Sequence, residues 1–142
     1  MNKPWKYAVS ILFLLPIIAQ GQETNVHPID KALDVCTEKD PSTAGMVHCT
    51  DIAYKKWDAE LNKNYLALMG KLKPEEKATL KAAQLAWVRY RDAEFKIIDS
   101  VYGMLQGTMY IPMRVARRVE IVRERASSLA TYLELINEES DP

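Results

Sequence analysis

A stripe of apolar side chains constrains the fold of this 142-residue chain more than any other sequence feature. Its members recur every three or four positions, which is typical of one face of a long amphipathic helix. The pattern breaks at Lys73-Pro74, where a proline can begin a new helix but cannot continue the preceding one. The stripe consists of Met46, Cys49, Ala53, Trp57, Leu61, Tyr65, Leu68 and Leu72.

The same reasoning predicts three further helices. A short one runs from Pro28 to about Thr37, and a long one begins at Pro74, where Glu75 and Glu76 suit the positive end of the helix dipole. A last helix is predicted from Met113 to Asn137. No segment alternates with the period of a strand. We therefore predict an all-α class: a small helical bundle of one short and three long helices with short connections.

Residues 1–21 at the N-terminus differ from the rest of the chain and are predicted to form a signal peptide. Lys3 and Lys6 precede an apolar stretch, Ala8–Ala19, of twelve residues. A membrane-spanning helix needs about 20 apolar residues, whereas a signal peptide needs fewer. We place the cleavage after Gly21 and a single domain over 22–142; an uncleaved anchor helix is the alternative.

The charge balance argues against a nucleic-acid partner. Removing Lys3 and Lys6 leaves 17 basic and 19 acidic residues, so the mature part lacks the positive surface that nucleic acid requires. No later segment is apolar enough to cross a membrane, and no motif indicates a cofactor. We expect an exported protein, periplasmic or extracellular, with a protein partner.

Two cysteines, Cys36 and Cys49, remain in the mature part. An even number in an exported chain predicts a disulfide. The alternative is a metal site, but zinc needs three or four ligands, and the nearby His27 and His48 complete no recognisable pattern. Both histidines are expected to be plain exposed residues.

The tight turn at Pro74 predicts that the second and third helices are antiparallel neighbours, with facing residue numbers that sum to about 146. Asp58 would then pair with Arg91, and Asn62 would contact Gln84. Buried polar groups need such partners, because an unpaired one costs about 1–3 kcal/mol. The network either fixes the register of the two helices or forms a ligand pocket. The aromatic residues around it are Trp57, Tyr65 and Trp87.

Enzyme motifs are missing: the chain has no phosphate-binding glycine loop, no His-Glu-x-x-His sequence and no nucleophile elbow. A lone paired carboxylate is also a poor acid–base catalyst. We expect no catalytic residues, although a small-substrate enzyme using the Asp58–Arg91 pocket remains an alternative.

Three surface features are candidates for binding. The loop Glu38–Gly45 is acidic at Glu38 and Asp40, and the loop Gly103–Pro112 is apolar, with Met109 and Tyr110 as candidate contacts. The second loop either binds a partner or packs over the end of the bundle. The last helix carries a basic run, which is either a solvated face or a contact with an anionic envelope surface; it comprises Arg114, Arg117, Arg118, Arg123 and Arg125.

Two sequence signatures carry a family resemblance. Residues 57–62 (WDAELN), followed by Tyr65, resemble the "WDxELNxxY" signature of LprI-like lysozyme-inhibitor domains. Residues 84–94 resemble the second signature, "QxAWxxYRDAE", which includes Arg91 and Asp92. The cysteine pair matches the one that precedes the first signature, and residues 123–129 resemble the closing "ERAxxL".

The chain also departs from the family pattern. Members often carry a second cysteine pair, whereas Phe95 holds the first of those places here and no cysteine follows Cys49. The loop Gly103–Pro112 therefore lacks that link.

The resemblance implies an exported, all-helical module that blocks lysozyme, many members having no assigned function. Our hypothesis is an envelope binding module that inhibits lysozyme by steric blockage of its cleft, with Glu38 and Asp40 meeting the basic surface of that enzyme. The alternative is a structural or interaction protein of the bacterial envelope with no lysozyme role.

Overall fold

Four helices build the fold in a computed structural model that describes residues 26–140. They are α1 (Pro28–Lys39), α2 (Thr43–Lys71), α3 (Pro74–Gly103) and α4 (Tyr110–Ser140). The described part contains no strand, so the predicted all-α class, with one short and three long helices, is confirmed. The predicted signal peptide lies outside the described residues.

The two predicted loops, Glu38–Gly45 and Gly103–Pro112, are both shorter in the structure than in the prediction. The first is reduced to Asp40–Ser42, because the Ser42 side chain accepts the Gly45 N–H (3.0 Å) and starts α2 early. The second covers only 104–109. Pro112 lies inside the first turn of α4, where a missing N–H costs no hydrogen bond. The predicted boundary at Met113 was therefore wrong by three residues, and α4 also continues past Asn137.

Helix α4 packs along most of α2 and forms the core with it. Three apolar residues at this contact, Leu61, Val122 and Leu129, are almost completely buried. Helix α1 packs on α2, and α3 packs on α4, while the backbones of α2 and α3 scarcely approach each other. The two helices are therefore not the close neighbours that the turn at Pro74 predicted, and α4 takes that place on α2.

The directions of the helices follow from a few cross-helix contacts. The rings of Tyr54 on α2 and Phe95 on α3 lie 6.3 Å apart, so these helices are antiparallel, in a register close to the expected one. Asn64 on α2 donates to the carbonyl of Ala126 on α4 (3.1 Å). Gln84 and Asp99 on α3 contact Arg125 and Arg118 on α4, respectively, so α4 reverses the direction of α3 and runs parallel to α2. The loop 104–109 and the turn 40–42 consequently lie at the same end of the bundle.

A disulfide between Cys36 and Cys49 joins α1 to α2, with the two Cα atoms 5.7 Å apart. This confirms the predicted pairing. Within the described residues, no group of three or more His, Cys, Asp or Glu side chains could hold a metal ion.

A polar clamp fixes the other end of α1. The buried Trp57 indole donates from Nε1 to Asp30 Oδ1 (3.0 Å), and Arg123 Nη1 donates to Asp30 Oδ2 (3.3 Å). His27 stacks on Trp57, with the ring centroids 4.2 Å apart, so the expectation that it is plainly exposed was wrong. One carboxylate thus holds three helices together.

The disulfide predicts a measurable loss of stability on removal. The double substitution Cys36→Ser/Cys49→Ser should lower the free energy of unfolding by about 3 kcal/mol, because closing a loop of this size restricts the unfolded chain. Urea denaturation followed by far-ultraviolet circular dichroism measures the change. Equal midpoints for the oxidised and the reduced wild-type chain would contradict this expectation.

The clamp predicts that the two aspartates of α1, Asp30 and Asp34, contribute differently to the free energy of unfolding. Asp30→Ala should lower the free energy of unfolding by about 1–3 kcal/mol, since it leaves the Trp57 N–H buried without an acceptor. Asp34→Ala is the matched control, because Asp34 is exposed on the same helix. The same urea denaturation compares the two, and equal effects would show that the clamp adds nothing.

Candidate functional site

The predicted polar seam between α2 and α3 does not form. Asn62 is exposed, and its Nδ2 donates to the backbone oxygen (2.8 Å) and the carboxylate (3.3 Å) of Asp58, one turn earlier on the same helix. Gln84 instead accepts a hydrogen bond from Arg125 Nε on α4 (3.0 Å). The expected Asn62–Gln84 contact was therefore wrong, because Gln84 faces α4 and Asn62 faces solvent.

Arg91 also finds a different partner from the expected Asp58. Its guanidinium donates from Nε (2.9 Å) and Nη2 (2.7 Å) to Asp92 Oδ1, the next residue in the chain. The same guanidinium lies 5.4 Å from the centroid of the Trp87 ring and 5.9 Å from that of Phe95. Arg91 is thus held by one exposed carboxylate and two aromatic faces, so the Asp58–Arg91 ion pair, on which the enzymatic alternative rested, does not form in the described structure.

The three aromatic residues of the predicted seam are part of the core. Trp57 is buried, and Tyr65 and Trp87 are half-buried against the core of α2 and α4. Their placement indicates that these residues of the signatures shape the packing of the bundle.

Sequence reasoning missed the polar residues that do connect the helices. Asn64 is buried and reaches α4, whereas Asn62, two positions away, points to the opposite side of α2. Asp30 and Arg123 were missed as well. A buried tryptophan usually needs an acceptor for its N–H, and this was the one signal that pointed toward Asp30.

The basic run on α4 is used within the fold. Arg118 contacts Asp99 and lies over the Phe95 ring, and Arg114 lies 3.9 Å from the same carboxylate. Arg117 pairs with Glu120 (2.6 Å). Arg123 and Arg125 bind Asp30 and Gln84, so each of the five arginines has at least one polar partner in the bundle. Arg114 Nε, Arg118 Nε and Arg125 Nη2 are nevertheless buried without a hydrogen-bond partner among the described residues.

The turn 40–42, which we call the clipped turn, is stiff. Asp40 Oδ1 accepts from the backbone N (3.1 Å) and the Oγ (2.6 Å) of Ser42, and these bonds hold the pKa of Asp40 below its ordinary value. The carboxylate is charged at neutral pH, and its contribution to the turn is lost only as the pH falls through that lowered pKa. A side chain at Gly45 would collide with Asp40. Glu38 is exposed beside the turn.

The loop 104–109, which we call the apolar loop, does not cover the end of the bundle. Met104 is 74% exposed and Met109 is 61% exposed. The loop turns at Gly107, whose φ of +117° suits glycine, and Tyr110 is half-buried at the start of α4. The structure thus brings two of the predicted binding features together: the apolar loop and the clipped turn share one end of the bundle.

None of the helices among residues 26–140 combines the length and the apolar character that a membrane span requires.

Comparison with solved structures shows a related fold. The chain is similar to a crystal structure of an uncharacterised protein from Burkholderia thailandensis, with a TM-score of 0.74 and 30% sequence identity. The match covers 80% of this chain and 57% of that one, so the chain spans little more than half of the length of its relative. No protein of curated function matches significantly.

The sequence also matches the model of a protein family. The model described as "Lysozyme inhibitor LprI" matches residues 36–129, about two thirds of the chain. The matched segment begins at the first cysteine of the disulfide and includes the core of α2, all of α3 and the arginines of α4. The chain therefore belongs to the LprI lysozyme-inhibitor family.

Proposed function

We propose that the protein is exported and inhibits lysozyme by covering its catalytic cleft. The observation that carries this proposal is the family match over residues 36–129. The disulfide supports export, because such bonds persist in oxidising compartments outside the cytosol.

The apolar loop supplies the better surface for this contact. Lysozyme cleaves its polysaccharide with two carboxyl groups, one of which lies in a hydrophobic pocket. The exposed methionines, Met104 and Met109, provide apolar side chains that adapt to an irregular partner. The Gly107 turn restricts the loop, so less conformational entropy is lost on binding.

The clipped turn supplies the charge at the same end. Glu38 and Asp40 are exposed carboxylates that would face the basic surface of lysozyme. The Asp40 carboxylate already accepts two hydrogen bonds from Ser42, so Glu38 is the better probe of this contact. In this arrangement the apolar loop blocks the cleft, and Glu38 accelerates the encounter.

The first test is inhibition of cell-wall lysis by lysozymes of different classes, together with a direct binding measurement at micromolar concentration. The wild-type chain should form a complex and slow lysis. Binding without slower lysis would favour the alternative, an interaction protein that uses the same surface, whereas the lack of any complex would refute the proposed function.

Substitutions in the apolar loop should separate this surface from the rest of the molecule. Met104→Asp/Met109→Asp should weaken lysozyme binding about tenfold or more, because it places two charges in a desolvated contact. Leu66→Asp is the control, since Leu66 is 68% exposed on α2, far from the apolar loop and five residues before the end of the helix. Glu38→Gln should mainly slow association at low salt. If the loop variant inhibits like the control, the contact lies elsewhere.

A further inference from the structure

A groove at the opposite end of the bundle has no role in the proposed lysozyme contact. It opens where α2 ends, α3 begins and α4 approaches its last turns, and it has a volume of about 640 Å³. We propose that this groove, which we call the terminal groove, binds a cationic amphipathic helix of a partner protein.

The terminal groove has an apolar floor that continues the core. Leu68 and Leu80 are buried at its base, and Leu72 and Ile136 are half-buried beside them. Leu135, which is 58% exposed, forms part of the wall. These positions leave an apolar surface open to solvent at a place where three helices already converge. A groove of this kind can receive the apolar face of another helix.

The dimensions suit a short helical contact. The wall that α3 contributes extends from Glu75 to Ala83. These positions are eight residues apart, which corresponds to about 12 Å along the helix axis. Two helical turns of a partner cover this length and present apolar side chains at positions i, i+3 or i+4, and i+7. The small side chain of Ala83 leaves depth for one of them.

The charges at the terminal groove select a cationic partner. Every charged residue that lines it is acidic, namely Glu75 and Glu76. Glu76 accepts the Lys73 N–H (3.0 Å), whereas no ion pair engages Glu75 within the described residues. Lys71, Lys73, Lys77 and Lys81 belong to the same end of the bundle but do not line the groove.

Helix α4 adds to this negative field. Its last turn has no basic residue, so its carbonyl end is uncompensated. Glu134, Glu138 and Glu139 are exposed there. The arginines of α4, by contrast, all lie between positions 114 and 125. A lysine or arginine beside the apolar face of an incoming helix would therefore meet carboxylates around the groove.

The test uses a designed peptide whose leucines recur at helical spacing and whose other positions are lysine. Isothermal titration should show binding to the wild-type protein. A scrambled peptide of the same composition and a leucine–glutamate peptide of the same pattern should both bind about tenfold or more weakly. Equal binding of the leucine–lysine peptide and its scrambled form would overturn the proposal, as would no binding.

Variants of the protein locate the contact. Leu135→Asp and Ala83→Phe, the second of which fills the groove, should each weaken peptide binding about tenfold. Leu66→Asp is the control, because Leu66 is similarly exposed outside the groove. Circular dichroism checks that each variant is folded. Full affinity in both groove variants would place the peptide elsewhere and refute the proposal.

The charge contribution has its own comparison. Glu75→Gln should weaken binding of the leucine–lysine peptide and reduce its salt dependence, whereas Glu38→Gln should change neither. Equal effects of the two substitutions would show that the peptide is attracted by the negative charge of the whole protein and not by the terminal groove, which would contradict the proposal. Inhibition of lysozyme by Leu135→Asp should equal that of the wild type, so this proposal and the proposed function can fail separately.

Discussion

The packing of α4 along α2 is the contact on which the rest of the structure depends. These two helices supply nearly all of the fully buried residues, including Leu61, Val122 and Leu129. A buried amide, Asn64, fixes their register by donating to the Ala126 carbonyl. Helices α1 and α3 are attached to this pair, the first by a disulfide and the Asp30 clamp, the second by α4 arginines and a few aromatic contacts.

The parallel direction of α2 and α4 explains the distribution of surfaces. With α3 as the return segment, the clipped turn and the apolar loop occupy one end, and the α2–α3 turn and the last turns of α4 occupy the other. The first end carries an exposed apolar loop, with Met104 and Met109, beside the acidic clipped turn. The second combines an apolar groove with acidic residues. One small bundle thus presents two separate surfaces, one a protruding loop and the other a groove.

The sequence predicted the helices and the disulfide because both depend on local or compositional signals. The apolar stripe from Met46 to Leu72 could be read without a partner, and so could the break at Pro74. The antiparallel turn was also predicted, and the Tyr54–Phe95 contact agrees with it. Helix ends were less accurate, since the Ser42 cap and the tolerance of Pro112 in a first turn depend on details of local geometry.

The polar seam was not predictable from local signals. Amphipathic periodicity gives the buried face of a helix but not the identity of the helix that covers it. We paired α2 with its neighbour in the chain, yet its main partner is α4. The identity of the covering helix decides whether Asn62 or Asn64 is buried, because these two residues point to nearly opposite sides of α2. It also decides whether Gln84 faces an asparagine or, as observed, Arg125.

The sequence distance between α2 and α4 affects the order of folding. Asn64 and Ala126 are 62 residues apart, so the apolar face of α2 stays uncovered until most of the chain has been synthesised. An N-terminal fragment that ends within α3 lacks the buried residues that α4 contributes, including Val122 and Leu129. Completion of the core is therefore a late, non-local step of folding, whereas the Cys36–Cys49 disulfide joins helices that are neighbours in the chain and needs only α1 and α2.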